Sequence, residues 1–468
     1  MQIDRTHLEA VLPRYELAGP RYTSYPTAPS WNGSFGAEEF RRLLRELPLD
    51  DPEPEGGELA LYAHVPFCRS LCHFCACNRV ITRKPELPTR YLAVIEGEIA
   101  AAREALGSPH RAAQLHLGGG TPTHLDPDEL GRLIDTLDAA FPPTADAERS
   151  IEVDPRVTTL AHLDALEARR FDRISLGVQD FDPRVQQAVH REQSVEQVGQ
   201  LVEEARRRGF EGVNFDLIYG LPFQNETSFD RTLDHVIEQA PDRIALYSYA
   251  HVTWVAKQQR GFERHDLPSG AQKLRILLRA IERLLAAEYE FIGMDHFARR
   301  GDPLAEAARA GRLHRNFMGY TTRNAADLIA FGPSGISELR TAFVQSVRDL
   351  GAWEARVEQL GLASFRGHLL SEDDRRRGWI IKQIMCRGGV RARDYAAEFG
   401  GEDFAERFAP ELGRLEPFER DGLAVREGPG DFHATDAGRL LLRNLAMVFD
   451  AYLEAQQRME TPLFSKTV

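Results

Sequence analysis

The chain lacks a long apolar run. Nowhere does it reach about 18 consecutive apolar residues, the length a membrane span requires. Its first residues, MQIDRTHLEAVLPRYE, have no apolar segment of the kind a secretory signal needs. Cysteine is scarce, with 5 in 468 residues, and four of them are crowded together, so a disulfide framework is excluded and a reducing, cytoplasmic setting is expected. No internal repeat or low-complexity segment is visible, which excludes solenoids and fibrous folds. Positive charge is in deficit: 58 Lys and Arg against 71 Asp and Glu give −13, which argues against nucleic acid as a partner. With 43% hydrophobic and 28% charged residues, the chain is globular and long enough for one large domain and an accessory one.

The crowded cysteines lie at 68–77, CRSLCHFCAC. Cys68, Cys72 and Cys75 have the spacing CxxxCxxC. Three thiolates on one short loop can converge on three corners of an iron–sulfur cluster. Apart from Cys77 and the remote Cys386, no further cysteine is available to close the cage, so one iron can stay open to a ligand. A structural zinc site or inert buried thiols are the plainer alternatives. Zinc usually takes paired CxxC elements from separate segments, and this is one compact loop.

Residues 1–54 show no long periodic segment and read as an extended arm containing Pro20, Arg21 and Pro26. DPEPEGGE at 51–58 reads as a linker. Beyond it, candidate strands at 59–65, 113–117, 150–153, 173–178, 212–218 and 244–249 alternate with helical patterns at 87–106, 127–140, 159–168, 194–208, 226–239 and 269–287. This alternation predicts an α/β fold with a parallel sheet and right-handed crossovers, either an open doubly wound sheet or a barrel. The tail, roughly 371–468, carries charged helical patterns, with Cys386 in an apolar stretch.

Side-chain parity sharpens the picture. Ile151 and Val153 oppose Glu152 and Asp154; Val213, Phe215 and Leu217 oppose Asn214 and Asp216. Ile174, Leu176 and Val178 oppose Ser175, Gly177 and Gln179, and Tyr62 and His64 share a face opposite Leu61, Ala63 and Val65. Each strand thus has an apolar face for covering helices and a polar one. The polar face suits either a lumen that holds a polar ligand or a solvated sheet surface, which parallel sheets rarely have.

CxxxCxxC is the signature of the radical S-adenosylmethionine (SAM) enzymes. The longer stretch YAHVPFCRSLCHFCACN, together with PRYTSYPTA in the arm and RNFMGYTT at 315–322, resembles one family among them, the oxygen-independent coproporphyrinogen III oxidases (dehydrogenases) of haem biosynthesis. The likeness runs over nearly the whole chain. It implies a partial six-stranded (β/α) barrel spanning 55–340, an N-terminal arm (1–54) over the active site, and a small mostly helical domain (341–468). It also implies a [4Fe–4S] cluster held by Cys68, Cys72 and Cys75, with Cys77 a family mark rather than a ligand. SAM would chelate the open iron and be cleaved to a 5′-deoxyadenosyl radical.

By the same resemblance, Gly119, Gly120 and Thr121 of GGGTP and Glu152 bind the first SAM, with Tyr62, Phe74, Ala250 and Ile336 as backbone or apolar contacts. Gln179, Arg191 and Asp216 match residues that bind a second SAM, so two per chain are expected. Arg21, Arg315 and Phe317 are candidate contacts to a tetrapyrrole, and Met318 departs from a glutamine found in part of the family. No general base is assigned. The implied activity is oxidative decarboxylation of coproporphyrinogen III to protoporphyrinogen IX, with an unidentified low-potential electron donor, an electron acceptor, and a monomeric state. The rivals are a haem-binding chaperone of the same family, whose members typically lack the arm and the CxC ending, and another porphyrin-directed radical SAM enzyme.

Overall fold

The computed structural model describes residues 4–33, 35–47, 57–253, 257–262, 264–323, 327–458 and 464. The linker read at 51–58 lies, as far as residue 56, outside the described residues.

Twelve strands form one sheet: β1 (Gly57–Val65), β2 (His110–Gly119), β3 (Pro143–Val153), β4 (Arg173–Gln179), β5 (Gly212–Tyr219), β6 (Arg243–Ser248), β7 (Tyr289–Gly293), β8 (His296–Arg299), β9 (Asp327–Phe331), β10 (Ile336–Leu339), β11 (Ala342–Ser346) and β12 (Ser364–Leu369). Their spatial order is β12-β11-β10-β9-β1-β2-β3-β4-β5-β6-β8-β7, so the sheet is open at both ends. β1 to β6 are contiguous and parallel, and they coincide with the six strands read from sequence. One further parallel strand, β9, adds beside β1, and antiparallel strands extend both edges.

Helices Glu86–Leu106, Pro127–Ala140, Leu160–Glu167, Val195–Arg207 and Glu226–Gln239 make the crossovers. Their starts are set by side chains that accept otherwise unpaired backbone N–H groups. Asp126 accepts from the Glu129 N–H at 2.8 Å, Ser194 from Gln197 at 3.1 Å and Asn225 from Ser228 at 3.0 Å. The helices cover the apolar face, where Leu117, Ile151, Leu176, Phe215 and Leu246 are completely buried. The opposite face is the polar one that parity predicts.

Two expectations change. Residues 1–54 are not wholly extended: Ala37–Arg45 is an amphipathic helix that buries Phe40, Leu43 and Leu44. It is only 9 residues long, too short for a conspicuous period. The boundary expected at 341 falls inside the β10–β11 hairpin, where Leu339 pairs with Ala342. The sheet therefore keeps the chain until Leu369, and the helical region begins at Glu372–Arg387.

A second core joins the two ends of the chain. Leu8, Val11, Tyr15, Tyr22 and Tyr25 of the arm pack with Phe404, Phe408, Leu445 and Phe449. Polar clasps reinforce it: Tyr22 Oη donates to Asp450 at 2.9 Å, Arg443 Nε to the Pro20 carbonyl at 3.0 Å, and Asn444 Nδ2 to the Tyr15 carbonyl at 2.8 Å. The C-terminal region thus holds the arm in place.

Candidate active site

The polar face lines two connected spaces. A cavity of about 540 Å³ at the C-terminal ends of the parallel strands is lined by all four clustered cysteines. A smaller one of about 160 Å³ lies deeper in the lumen, and Glu152, Ser175, Asp216 and Tyr247 border both.

The cysteine loop follows β1 directly and is pinned by backbone bonds. The Val80 N–H donates to the Pro66 carbonyl at 2.7 Å and the Thr82 N–H to the Cys68 carbonyl at 3.0 Å. Cys72 is the most enclosed thiol; Arg156 Nη2 and Arg191 Nη1 each donate to its Sγ at 3.5 Å. Burial pushes the Cys68 thiol up to about 11. The hydrogen bond with Cys77 brings the Cys75 thiol down to about 6 and drives the Cys77 thiol well up. Among the described residues, no three His, Cys, Asp or Glu side chains are grouped to hold a single metal ion. Thiols spread around one roomy cavity, with two guanidiniums on the innermost, fit a thiolate-bound cluster.

GGGTP ends β2 against this loop. Gly119 has φ +117, and a Cβ there would stand 2.8 Å from the His64 ring. A Cβ at Gly120 would stand 2.6 Å from the Pro66 carbonyl oxygen. Only glycine allows this approach. The Gly119 N–H donates to Glu152 Oε2 at 3.1 Å, and His116 Nε2 lies 3.4 Å from Oε1. Burial pushes the Glu152 carboxyl up, but the His116 ring and the Gly119 N–H outweigh it, and the net direction is down.

Asp216 behaves differently. Ser175 Oγ and Asn214 Nδ2 each donate to it at 3.0 Å, yet burial and the Glu152 charge raise its carboxyl to about 7. Arg191 donates to the Gly177 carbonyl and lies 3.2 Å from Asp154. Gln179, at φ 68, ends β4 in the left-handed region, a conformation that turns the chain at the cavity wall.

Of the residues read from sequence, Arg21, Cys68, Cys72, Phe74, Cys75, Gly119, Gly120, Thr121, Glu152, Gln179, Arg191, Asp216 and Ala250 meet around the larger cavity. Tyr62 stands behind it, stacked on His116 with ring centroids 5.8 Å apart. Ile336 and Phe317 meet elsewhere, in a cluster with Trp31 and Phe343. Arg315 lies over the Tyr320 ring, 4.6 Å from its centroid, and Met318 packs near Ala60 and Leu328.

Sequence reasoning missed three residues. Arg156 grips Asp154 at 2.7 Å and holds Cys72; the Asp-Pro-Arg turn after β3 was a usable signal, because Asp154 accepts the Arg156 N–H at 3.0 Å. Tyr247 continues the inward parity of β6. Asp295, half-buried between β7 and β8, pairs with Arg21 and has no local signal.

Residues 62–236 match the radical SAM superfamily and residues 370–441 the HemN C-terminal domain. The chain is 43% identical to the oxygen-independent coproporphyrinogen III oxidase of Escherichia coli over 461 residues, covering 98% of each chain. The chain belongs to this family. The Pseudomonas aeruginosa protein of the same name is 41% identical over 95% of this chain and 96% of its own. The solved structure titled "Coproporphyrinogen III oxidase (HemN) from Escherichia coli is a Radical SAM enzyme" superposes with a TM-score of 0.88 at 42% identity, covering 92% of this chain and 97% of that one. Membership of the radical SAM superfamily carries a [4Fe–4S] cluster and SAM as cofactors. The first matched region runs from β1 into the helix Glu226–Gln239 and so takes in the parallel strands β1 to β5, and the second lies in the helical region after β12. Among the described residues no helix is long and apolar enough to cross a membrane.

Proposed function

We propose that this chain decarboxylates coproporphyrinogen III to protoporphyrinogen IX without oxygen, a step of porphyrin and haem synthesis. The observation that carries the reading is the identity of 43% over 98% of both chains to an enzyme of that name. Two propionate side chains become vinyl groups. Each loses CO₂, one hydrogen atom from its β-carbon, and one electron to an acceptor. The chemistry that the cluster and SAM supply when bound is one-electron cleavage of SAM and abstraction of that hydrogen.

The chain's own residues bind, orient and shield. Cys68, Cys72 and Cys75 hold the cluster. Gly119, Gly120, Thr121 and Glu152 take the first SAM, supported by Phe74 and Ala250 on the cavity wall and by Tyr62 behind it. Gln179, Arg191 and Asp216 take a second, so two are bound per chain. Arg315 takes a propionate: it is 7% exposed, and its Nε and Nη1 have no partner among the described residues. Phe317 lines the tetrapyrrole, and the N-terminal arm covers it. The cytoplasm fits the free cysteines, and the chain acts there as a monomer.

Anaerobic incubation with coproporphyrinogen III, SAM and dithionite tests the reading. Protoporphyrinogen IX should form with two methionines and two 5′-deoxyadenosines per product. Absence of product with tight retention of haem would favour the chaperone reading instead.

A further inference from the structure

The proposed chemistry consumes electrons one at a time, so a donor must reach the cysteine loop. The charge around that loop opposes the charge of the rest of the chain. From residue 59 to residue 85 there is no Asp or Glu, while Arg69, Arg79, Arg83 and Lys84 all occur there, in a protein of net charge −13. The fold gathers these cations on one rim. Cys68 pairs with Ile81 in a short parallel ladder, which brings Arg69 beside Thr82 and Arg83. Asn78 Nδ2 donates to the Arg348 carbonyl at 2.9 Å, adding a fifth cation from a distant segment.

Many of the surface arginines elsewhere are ion-paired. Arg132, Arg169, Arg283 and Arg376 each meet a carboxylate within 2.8 Å. Arg69, Arg83, Lys84 and Arg348 are exposed and form no ion pair among the described residues. Two carboxylates border the rim, Glu86 and Asp349, and Asp349 is engaged in capping a helix through the Ala352 N–H at 2.9 Å. At the centre Ile81, paired with Cys68, is 44% exposed, and Ala76 and Cys77 of the same loop are exposed as well. An apolar centre ringed by unmatched charge is the composition of an interface that steers an oppositely charged partner.

We propose that this rim, centred on Ile81 and carrying Arg69, Arg83, Lys84 and Arg348, docks a small acidic one-electron carrier protein that delivers reducing electrons to the cysteine loop. The inference rests on the radical reading of the function. In each encounter the carrier is oxidised by one electron, which is consumed in cleaving one SAM. The global charge of −13 would repel an acidic carrier, but screening within about 8 Å leaves the local cations to decide the encounter.

Two measurements test it on the reconstituted full chain, with an acidic flavodoxin as the probe. The first is the flavodoxin dissociation constant as a function of salt. The second is 5′-deoxyadenosine formation driven by reduced flavodoxin or, separately, by dithionite. For the wild type, binding and flavodoxin-driven cleavage should weaken about tenfold between about 50 and 300 mM salt, and dithionite-driven cleavage should not. Combined Arg69→Glu, Arg83→Glu and Lys84→Glu should weaken flavodoxin binding by about tenfold or more and flatten the salt dependence. Cluster absorbance and the dithionite rate should stay at the wild-type level. If the reversal prevents reconstitution, the Gln triple at the same positions should show the same selective loss. Salt-independent binding by the wild type would overturn the proposal. So would equal loss on reversing the distant Arg391 and Arg393, or capture of a mixed-sequence oligonucleotide by the rim with flavodoxin reduction unaffected. Failure of the dithionite reaction itself would instead count against the radical reading.

Discussion

Arg21, in the N-terminal arm, is ion-paired with Asp295, which lies in the turn between β7 and β8. His296 Nδ1 lies 2.7 Å from the same carboxylate, and the Arg21 guanidinium sits 5.3 Å from the centroid of the Tyr247 ring. Burial alone would raise the Asp295 carboxyl; Arg21, His296 and Arg315 reverse this and hold it far below the ordinary range. The sequence marks Arg21 as a candidate contact to a tetrapyrrole propionate. Its charge is instead already matched, and a propionate would have to share it.

Breaking the pair should therefore affect both the arm and turnover. Asp295→Asn leaves a guanidinium without its counter-charge and should cost about 2 kcal/mol, below the range for a fully buried pair, because both side chains keep part of their surface exposed. Thermal unfolding measures this. Arg21→Ala should retain cluster absorbance and SAM binding while losing decarboxylation. Deleting the arm outright is a poorer test, since Leu8, Val11 and Tyr15 belong to the second core. An unchanged melting temperature and full turnover in both variants would refute the clasp.

Three thiolates should suffice for the cluster. Alanine at Cys68, Cys72 or Cys75 should abolish the iron–sulfur absorbance after reconstitution. Alanine at exposed Cys77, or at Cys386 in the helix Glu372–Arg387, should leave it intact. Loss in Cys77→Ala with retention in Cys75→Ala would reverse the assignment.

The second SAM site should be pH-sensitive. Asp216 releases its proton near pH 7, well above its ordinary value of 3.8. A cationic ligand needs the carboxylate form, so its binding should tighten as pH rises through about 7 and should release a proton. Equilibrium binding to the reconstituted chain should give two SAM per chain at pH 8, with one of them weakened at pH 6. Asp216→Asn should weaken that site and remove its pH dependence. A pH-independent second site, or one SAM at saturation, would be incompatible with this assignment.

Glu98 offers a test of stability. It is completely enclosed beside Trp353 Nε1 and accepts the Gly332 N–H at 2.8 Å. Burial raises its carboxyl to about 7, against an ordinary value of 4.5. Between these values the unfolded chain ionises and the folded one does not, so stability falls as pH rises from about 4.5 to 7. The loss is on the order of 3 kcal/mol. Glu98→Gln should thus be more stable than the wild type at pH 8 and close to it at pH 4. Parallel melting curves for the two proteins would rule out this account.

The sequence by itself determined the parallel sheet, its polar lumen and the cysteine loop. These rest on short-range physics. Alternating residues such as Ile151 and Glu152 assign faces wherever the strand pairs, Asp126 and Ser194 start helices three residues from the N–H they accept, and Cys68, Cys72 and Cys75 are close because the chain between them is short. Tertiary structure alone decided the rest. Arg21 and Asp295 are 274 residues apart, and nothing in their neighbours specifies the pairing. The packing of Tyr22 and Tyr25 against Phe449, the run of the sheet to Leu369, and the placement of Ile336 and Phe317 beside Trp31 are likewise long-range. Periodicity records which face a residue presents. Which distant surface meets that face depends on how the whole core closes, and no local pattern encodes it.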